Sequence, residues 1–244
     1  MESNSDLIWV EKDPMGMAIY DYHNGNKVGE LKVLSSQFDD DEIPVAELFR
    51  DYNDMPEIEQ VALQMSEGSI LDVGAGSGCH SLALQRMGKS VLAIDISPLS
   101  VQVMKERGVK AKLINLYDSA FAEKFDTILM LMNGSGIIGN LENMESFFNR
   151  MKELLNTGGK ILMDSSDLRY LFEEEDGSFM IDLAGDYYGL VDFQMEYKGV
   201  KGEPFDWLYV DFDTLACHAA ENGFQAKIVA QGEHYDYLAE LTLV

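Results

Sequence analysis

Residues 69–78 read SILDVGAGSG, and their types and spacing suit the binding of a nucleotide-shaped molecule. Ile70, Leu71 and Val73 form an apolar run of strand length, with Asp72 near its end. Gly74, Gly76 and Gly78 follow, and a helical pattern opens at Cys79 and His80. A strand that turns through glycines into a helix aims backbone N–H groups and the positive end of the helix dipole at whatever lies above the turn. The missing side chains leave room for a ligand to approach the backbone. Gly74, Ala75, Gly76, Ser77 and Gly78 are therefore candidate binding residues. A second carboxylate, Asp95, ends the next apolar run, roughly 20 residues beyond the glycines, where doubly wound folds hold a ribose hydroxyl pair. A third apolar run, 125–132, stops at Asn133-Gly134-Ser135-Gly136.

The elements that must position these residues alternate along the chain. Periodicity predicts strand 70–74, helix 79–87, strand 90–94, helix 98–107, strand 111–114, a short helix near 119–123, strand 125–132, helix 141–155 and strand 159–164. Such a βαβα order implies a parallel sheet with helices on both faces. Pro98 opens its helix after Ser97, and Thr157-Gly158-Gly159 reads as the end of another. Ahead of this core, 7–10 reads as a short strand, 14–22 as a helix capped by Asp13, 28–34 as a strand, 39–42 as a solvated loop, and 45–52 and 56–66 as helices. Behind it, 188–210 carries a β-hairpin signal, and a helix at 212–222 precedes strands at 224–230 and 236–243.

LDVGAGSG, the acidic LAID after it and FDTILMLMN further on resemble the first, second and fourth motifs of the class I S-adenosylmethionine-dependent methyltransferases. A dinucleotide fingerprint needs another glycine where Cys79 stands, which disfavours a nicotinamide-dependent oxidoreductase. The resemblance implies an α/β, Rossmann-like, doubly wound sheet of seven strands, mostly parallel with the last one antiparallel. Residues 1–55 would form a cap, and 56–244 the methyltransferase domain, with an insertion at about 168–210. It further implies S-adenosyl-L-methionine as cofactor and S-adenosyl-L-homocysteine as product. On that reading Asp72 serves the methionine end, Asp95 the ribose, and Ile96, Asn115 and Leu116 the adenine. Asn115 and Asp118 are alternatives for bonding the adenine amino group. Asn133 would stand beside the reacting methyl, and Arg50 is a candidate for the cofactor carboxylate.

The catalytic candidates are Asn133, Asp164 and His234. Asp167 and Ser165 face the same crevice by topology, and His80 reads as structural. No metal-ligand spacing is present, and Cys79 and Cys217 read as reduced thiols. The chain of 244 residues, 46% of them apolar, suffices for one sizeable core. Its formal charge of −25, from 43 acidic and 18 basic residues, repels polyanions. A small neutral or cationic substrate is expected, and nucleic acid is not. No basic leader precedes an apolar segment and no run approaches the ~18 apolar residues of a membrane span, so no membrane partner and a cytoplasmic location are expected. The oligomeric state is not readable from these residues. Two functions fit: a small-molecule methyltransferase, and a protein that senses S-adenosylmethionine or S-adenosylhomocysteine without turnover.

Overall fold

The computed structural model describes residues 7–173, 176, 178–180, 185–232 and 235–244. Its centre is β3 (Ser69–Val73), buried along most of its length. A short run with almost no exposed residue stays out of water only as an inner strand. β3 lies between β4 (Ser90–Asp95) and β6 (Phe125–Met130), parallel to both. With β5 (Ala111–Leu113), β7 (Leu155–Ser166), β11 (Phe224–Gln231) and β12 (Asp236–Leu243) the sheet has seven strands, ordered β11-β12-β7-β6-β3-β4-β5. β12 runs antiparallel to β7 and β11. The alternation of side chains along β6 and β7 feeds two layers. Ile128, Met130, Ile161 and Met163 pack beneath α5 (Met144–Leu154) and α6 (Phe212–Glu221), while Leu129 and Leu162 meet α2 (Glu57–Met65) and α3 (Cys79–Arg86). α4 (Pro98–Glu106) returns the chain from β4 to β5.

The strand order places the site. From β3 the chain moves outward through β4 to β5, then returns to the other flank of β3 as β6. The crevice outside the carboxyl ends of β3 and β6 is the switch point where ligands bind in open α/β sheets.

A second sheet covers that edge. The hairpin of β8 (Leu190–Tyr197) and β10 (Phe205–Leu208) forms as expected, with β9 (Val200–Lys201) at its turn. β8 also pairs antiparallel with β1 (Leu31–Leu34), in register from Leu31 opposite Tyr197 to Leu34 opposite Gln194, and β2 (Asp41–Glu42) pairs with β1. α1 (Pro14–His23) ties into this unit through Asp21, which accepts from Tyr197 Oη at 3.0 Å and Lys198 Nζ at 2.6 Å.

Several local expectations are corrected. Val10–Lys12 is a 3-10 turn, and Ile8 donates its N–H to Ile96 O. The strand expected from 28 begins at Leu31, and Asp41–Glu42 pairs where a loop was expected. Residues 45–52 make two 3-10 turns, Val45–Phe49 and Tyr52–Asp54, because Arg50 and Asp51 are extended. No helix forms at 119–123, where buried Arg150 ties down the carbonyls of Leu116, Asp118 and Phe121. Helix α5 stops at Leu154, since Leu155 already pairs with Phe125, so Gly158 and Gly159 lie inside β7.

Candidate active site

β3 delivers Asp72, and its turn delivers the glycines. Gly74, Gly76 and Gly78 all have positive φ, a backbone conformation that side chains disfavour. Their surroundings differ. A Cβ at Gly78 would meet Met104 at 2.9 Å, so that position is closed by core packing. A Cβ at Gly76 would find only Ile19, at 3.9 Å, and faces open space. The turn's N–H groups are used otherwise than expected. Gly74 and Ala75 donate to Ile94 O, Gly78 donates to Ala75 O, and Gly76 donates to Asp95 Oδ2 at 2.8 Å. The turn is thus pulled against the end of β4 and offers close approach more than donors. Ala75 packs beneath α4, and buried Ser77 donates to Leu48 O and accepts from Arg107 Nη1.

Asp95 is half-buried. Its Oδ1 accepts from Ser97 N–H at 2.8 Å, and each of its oxygens keeps a lone pair for a further donor. Desolvation pushes its carboxyl up to about 6 despite these two N–H groups, and nearby Asp13 adds to the rise. Asp13, fully buried, caps α1 through Gly16 N–H at 2.8 Å. Asp72 is buried with Oδ2 accepting from Ser81 Oγ at 2.6 Å, and burial raises its pKa.

Beneath the turn lies a cluster of Arg50, Glu59 and His80. Glu59 accepts from Arg50 Nη2 and stands 2.8 Å from His80 Nε2. Burial opposes its charge, but His80 and Arg50 together hold its carboxyl below the usual range. Arg50 Nη1 donates to Glu47 O at 2.6 Å, whereas its buried Nε has no partner among the described residues. The Glu was missed; its signal was a carboxylate inside the apolar stripe of α2, between Ile58 and Ala62.

On the far flank, Ile96 is exposed, Leu116 is buried, and Asn115 Oδ1 accepts from Tyr117 N–H at 2.9 Å. Buried Arg150 shapes this loop, donating to Leu116 O at 2.7 Å, Asp118 O at 2.9 Å and Phe121 O at 2.6 Å. Its signal was an arginine in the apolar stripe of Phe147, Met151 and Leu154. At the end of β6, Met132 and Asn133 have positive φ. Asp164 holds that bend by accepting from Met132 N–H at 3.1 Å and Gly134 N–H at 2.9 Å. Burial pushes its carboxyl up to about 6. Asn133 Oδ1 accepts from Ser166 Oγ at 3.1 Å. Ser165 and Ser135 share a hydrogen bond of 2.8 Å, and through Val210 N–H and Leu208 O they hook the second sheet onto this edge. Asp167 accepts from Tyr188 and Arg169. His234 lies outside the described residues.

A family model described as a methyltransferase domain matches residues 71–163. A solved S-adenosylmethionine-dependent methyltransferase from Bacteroides fragilis, in complex with S-adenosyl-L-homocysteine, is similar over 99% of both chains, with 63% identity and a TM-score of 0.93. The chain belongs to the S-adenosylmethionine-dependent methyltransferases. Within that family, the demethylmenaquinone methyltransferase of Tropheryma whipplei is 33% identical over 100 residues, 38% of this chain and 40% of that protein. The chain thus spans less than half the length of the curated relative it matches. The CcbJ methyltransferase of Streptomyces caelestis shares the fold, with a TM-score of 0.60 and 14% identity over 79% of this chain and 94% of that one. Among the described residues no helix is long and apolar enough to cross a membrane, and no group of His, Cys, Asp and Glu is arranged for a metal.

Proposed function

We propose that the protein binds S-adenosyl-L-methionine over the glycine turn and methylates a small neutral or cationic acceptor. The observation that carries this reading is the bond from Gly76 N–H to Asp95, which sets a carboxylate with spare lone pairs beside an open glycine face. Asp95 would accept from the ribose hydroxyls, each charge-assisted bond being worth about 1.5–3 kcal/mol. The unpaired Nε of Arg50 is a buried donor in search of an anion, and the carboxylate of the cofactor's amino-acid end supplies one. Asp72 would serve the amino group or its water, while Ile96, Asn115 and Leu116 would bound the adenine.

When bound, the cofactor supplies a sulfonium methyl: the acceptor's lone pair forms the new bond as the carbon–sulfur bond breaks and its electron pair stays on sulfur. The protein's share is chiefly distance and angle. Asn133, fixed at positive φ by the two bonds from Asp164, would line the point of transfer. Asp164 acts as the brace of that bend, since both its oxygens are engaged there. This engagement also favours a second reading, a sensor that binds the cofactor and turns nothing over.

Calorimetry with S-adenosylhomocysteine, then methyl release from labelled S-adenosylmethionine over a metabolite panel, tests the proposal. Binding with turnover supports the enzyme, binding with no turnover on any compound supports the sensor, and no binding removes both.

A further inference from the structure

Four described residues other than glycine have positive φ, and three of them, Met132, Asn133 and Tyr235, stand at one edge of the central sheet. Met132 and Asn133 follow β6. Tyr235 precedes β12, whose first residue, Asp236, pairs with Ser166 at the end of β7. The fourth, Lys198, is the turn of the β8–β9 hairpin. A left-handed backbone disfavours an aromatic side chain, and such conformations persist where surrounding structure imposes them, often at functional sites. Here Tyr235 O accepts from Asp167 N–H at 3.1 Å, and the Tyr235 ring stacks on Tyr170 with centroids 5.1 Å apart and planes 8° from parallel.

This pair faces water, Tyr170 39% and Tyr235 59% exposed, so the stack is not a core contact. Its position follows from the sheet. Asn133 bonds Ser166, and Ser166 pairs with Asp236, so the platform begins two strand spacings, about 10 Å, from Asn133. Among the described residues, the charges along this edge include Asp164, Asp167, Asp236 and Arg169. The arginine is already committed to Asp167 at 2.7 Å and to the face of Phe179.

We propose that the stacked Tyr170 and Tyr235 determine acceptor specificity by holding a cationic amine, whose ammonium lies against the tyrosine faces within this acidic edge. Cations are attracted to the faces of aromatic rings. An anionic acceptor would meet carboxylates, and a neutral one would gain nothing from them. The held ammonium keeps its proton and anchors the acceptor, while a nucleophilic atom farther along the same molecule, beside Asn133, gives its proton to water and takes the methyl as described above. The proposal rests on the functional reading of the preceding subsection.

The test uses the full chain loaded with S-adenosylhomocysteine and two probes of equal shape, choline and its uncharged isostere 3,3-dimethylbutan-1-ol, titrated calorimetrically. Choline is expected to bind about fivefold more tightly or better. Tyr170→Leu and Tyr235→Leu are expected to erase that preference, Tyr170→Phe and Tyr235→Phe to keep it, and all four to bind S-adenosylhomocysteine as the parent does. Tyr170→Leu carries the test on its own if the strained position 235 tolerates no change. Equal affinity for the two probes, no binding of either, or a leucine variant that still prefers choline overturns the proposal. Failure of S-adenosylhomocysteine itself to bind overturns the functional reading instead.

Discussion

Ser97 donates its hydroxyl to Asp13 at 2.6 Å, joining the cap of α1 to the residue whose N–H holds Asp95. The N-terminal segment is thereby fastened to the Asp95 side of the crevice. Asp13→Ala removes a helix cap and this link. It should cost about 0.5–2 kcal/mol of stability and weaken S-adenosylhomocysteine binding, as read by thermal denaturation and calorimetry. Unchanged values of both would mean that the link is idle.

Gly136 lies under the indole of Trp207, where a Cβ would fall 1.9 Å from Cε2. Gly136→Ala should therefore destabilise the fold by about 1–3 kcal/mol through overpacking. With Trp207→Ala the same methyl has room, so a urea-unfolding cycle on the two positions should be strongly non-additive. Additive effects would contradict the contact.

Arg50→Ala should weaken S-adenosylhomocysteine binding by about 1.5–3 kcal/mol and leave 5′-methylthioadenosine, which lacks the amino-acid end, bound as before. Calorimetry with both ligands separates this role from the ion pair with Glu59, whose loss would affect the two alike.

Asp95 gives the site a pH dependence. Its carboxyl is raised from 3.8 to about 6 in the fold, chiefly by burial, so ionisation costs stability as pH rises through that window. Asp95→Asn should therefore raise the melting temperature more at pH 7.5 than at pH 4.5. Ribose hydroxyls favour the ionised form, so the parent's affinity for S-adenosylhomocysteine should fall by up to about tenfold per unit below pH 6. Asp95→Asn should flatten that profile. Asp164, raised by burial to about 6 as well, is present in both proteins, so the difference reports Asp95.

The glycine turn, Asp95 and the alternating core were legible because each is local: a run, a turn and a carboxylate at a fixed offset. The hairpin was legible for the same reason. Its pairing with β1 was not, since Leu31 and Tyr197 meet across most of the chain and nothing near either residue announces it. Residues 45–52 carry helical spacing, yet Ser77 bonds Leu48 O and the chain opens at Arg50. Arg150 and Glu59 were not singled out, although each stands within the apolar stripe of its helix, because a lone charge there carries no partner's identity with it. The positions of Asp164 and Tyr235 depended on backbone bends that no pattern of residue types encodes.

A crystal structure with S-adenosylhomocysteine tests the central claim most directly. The account predicts both ribose hydroxyls within hydrogen-bond distance of Asp95 and the sulfur chain running over Gly74 and Gly76 toward Asn133. A nucleoside lodged away from Asp95, with the glycine turn uncovered, would contradict it.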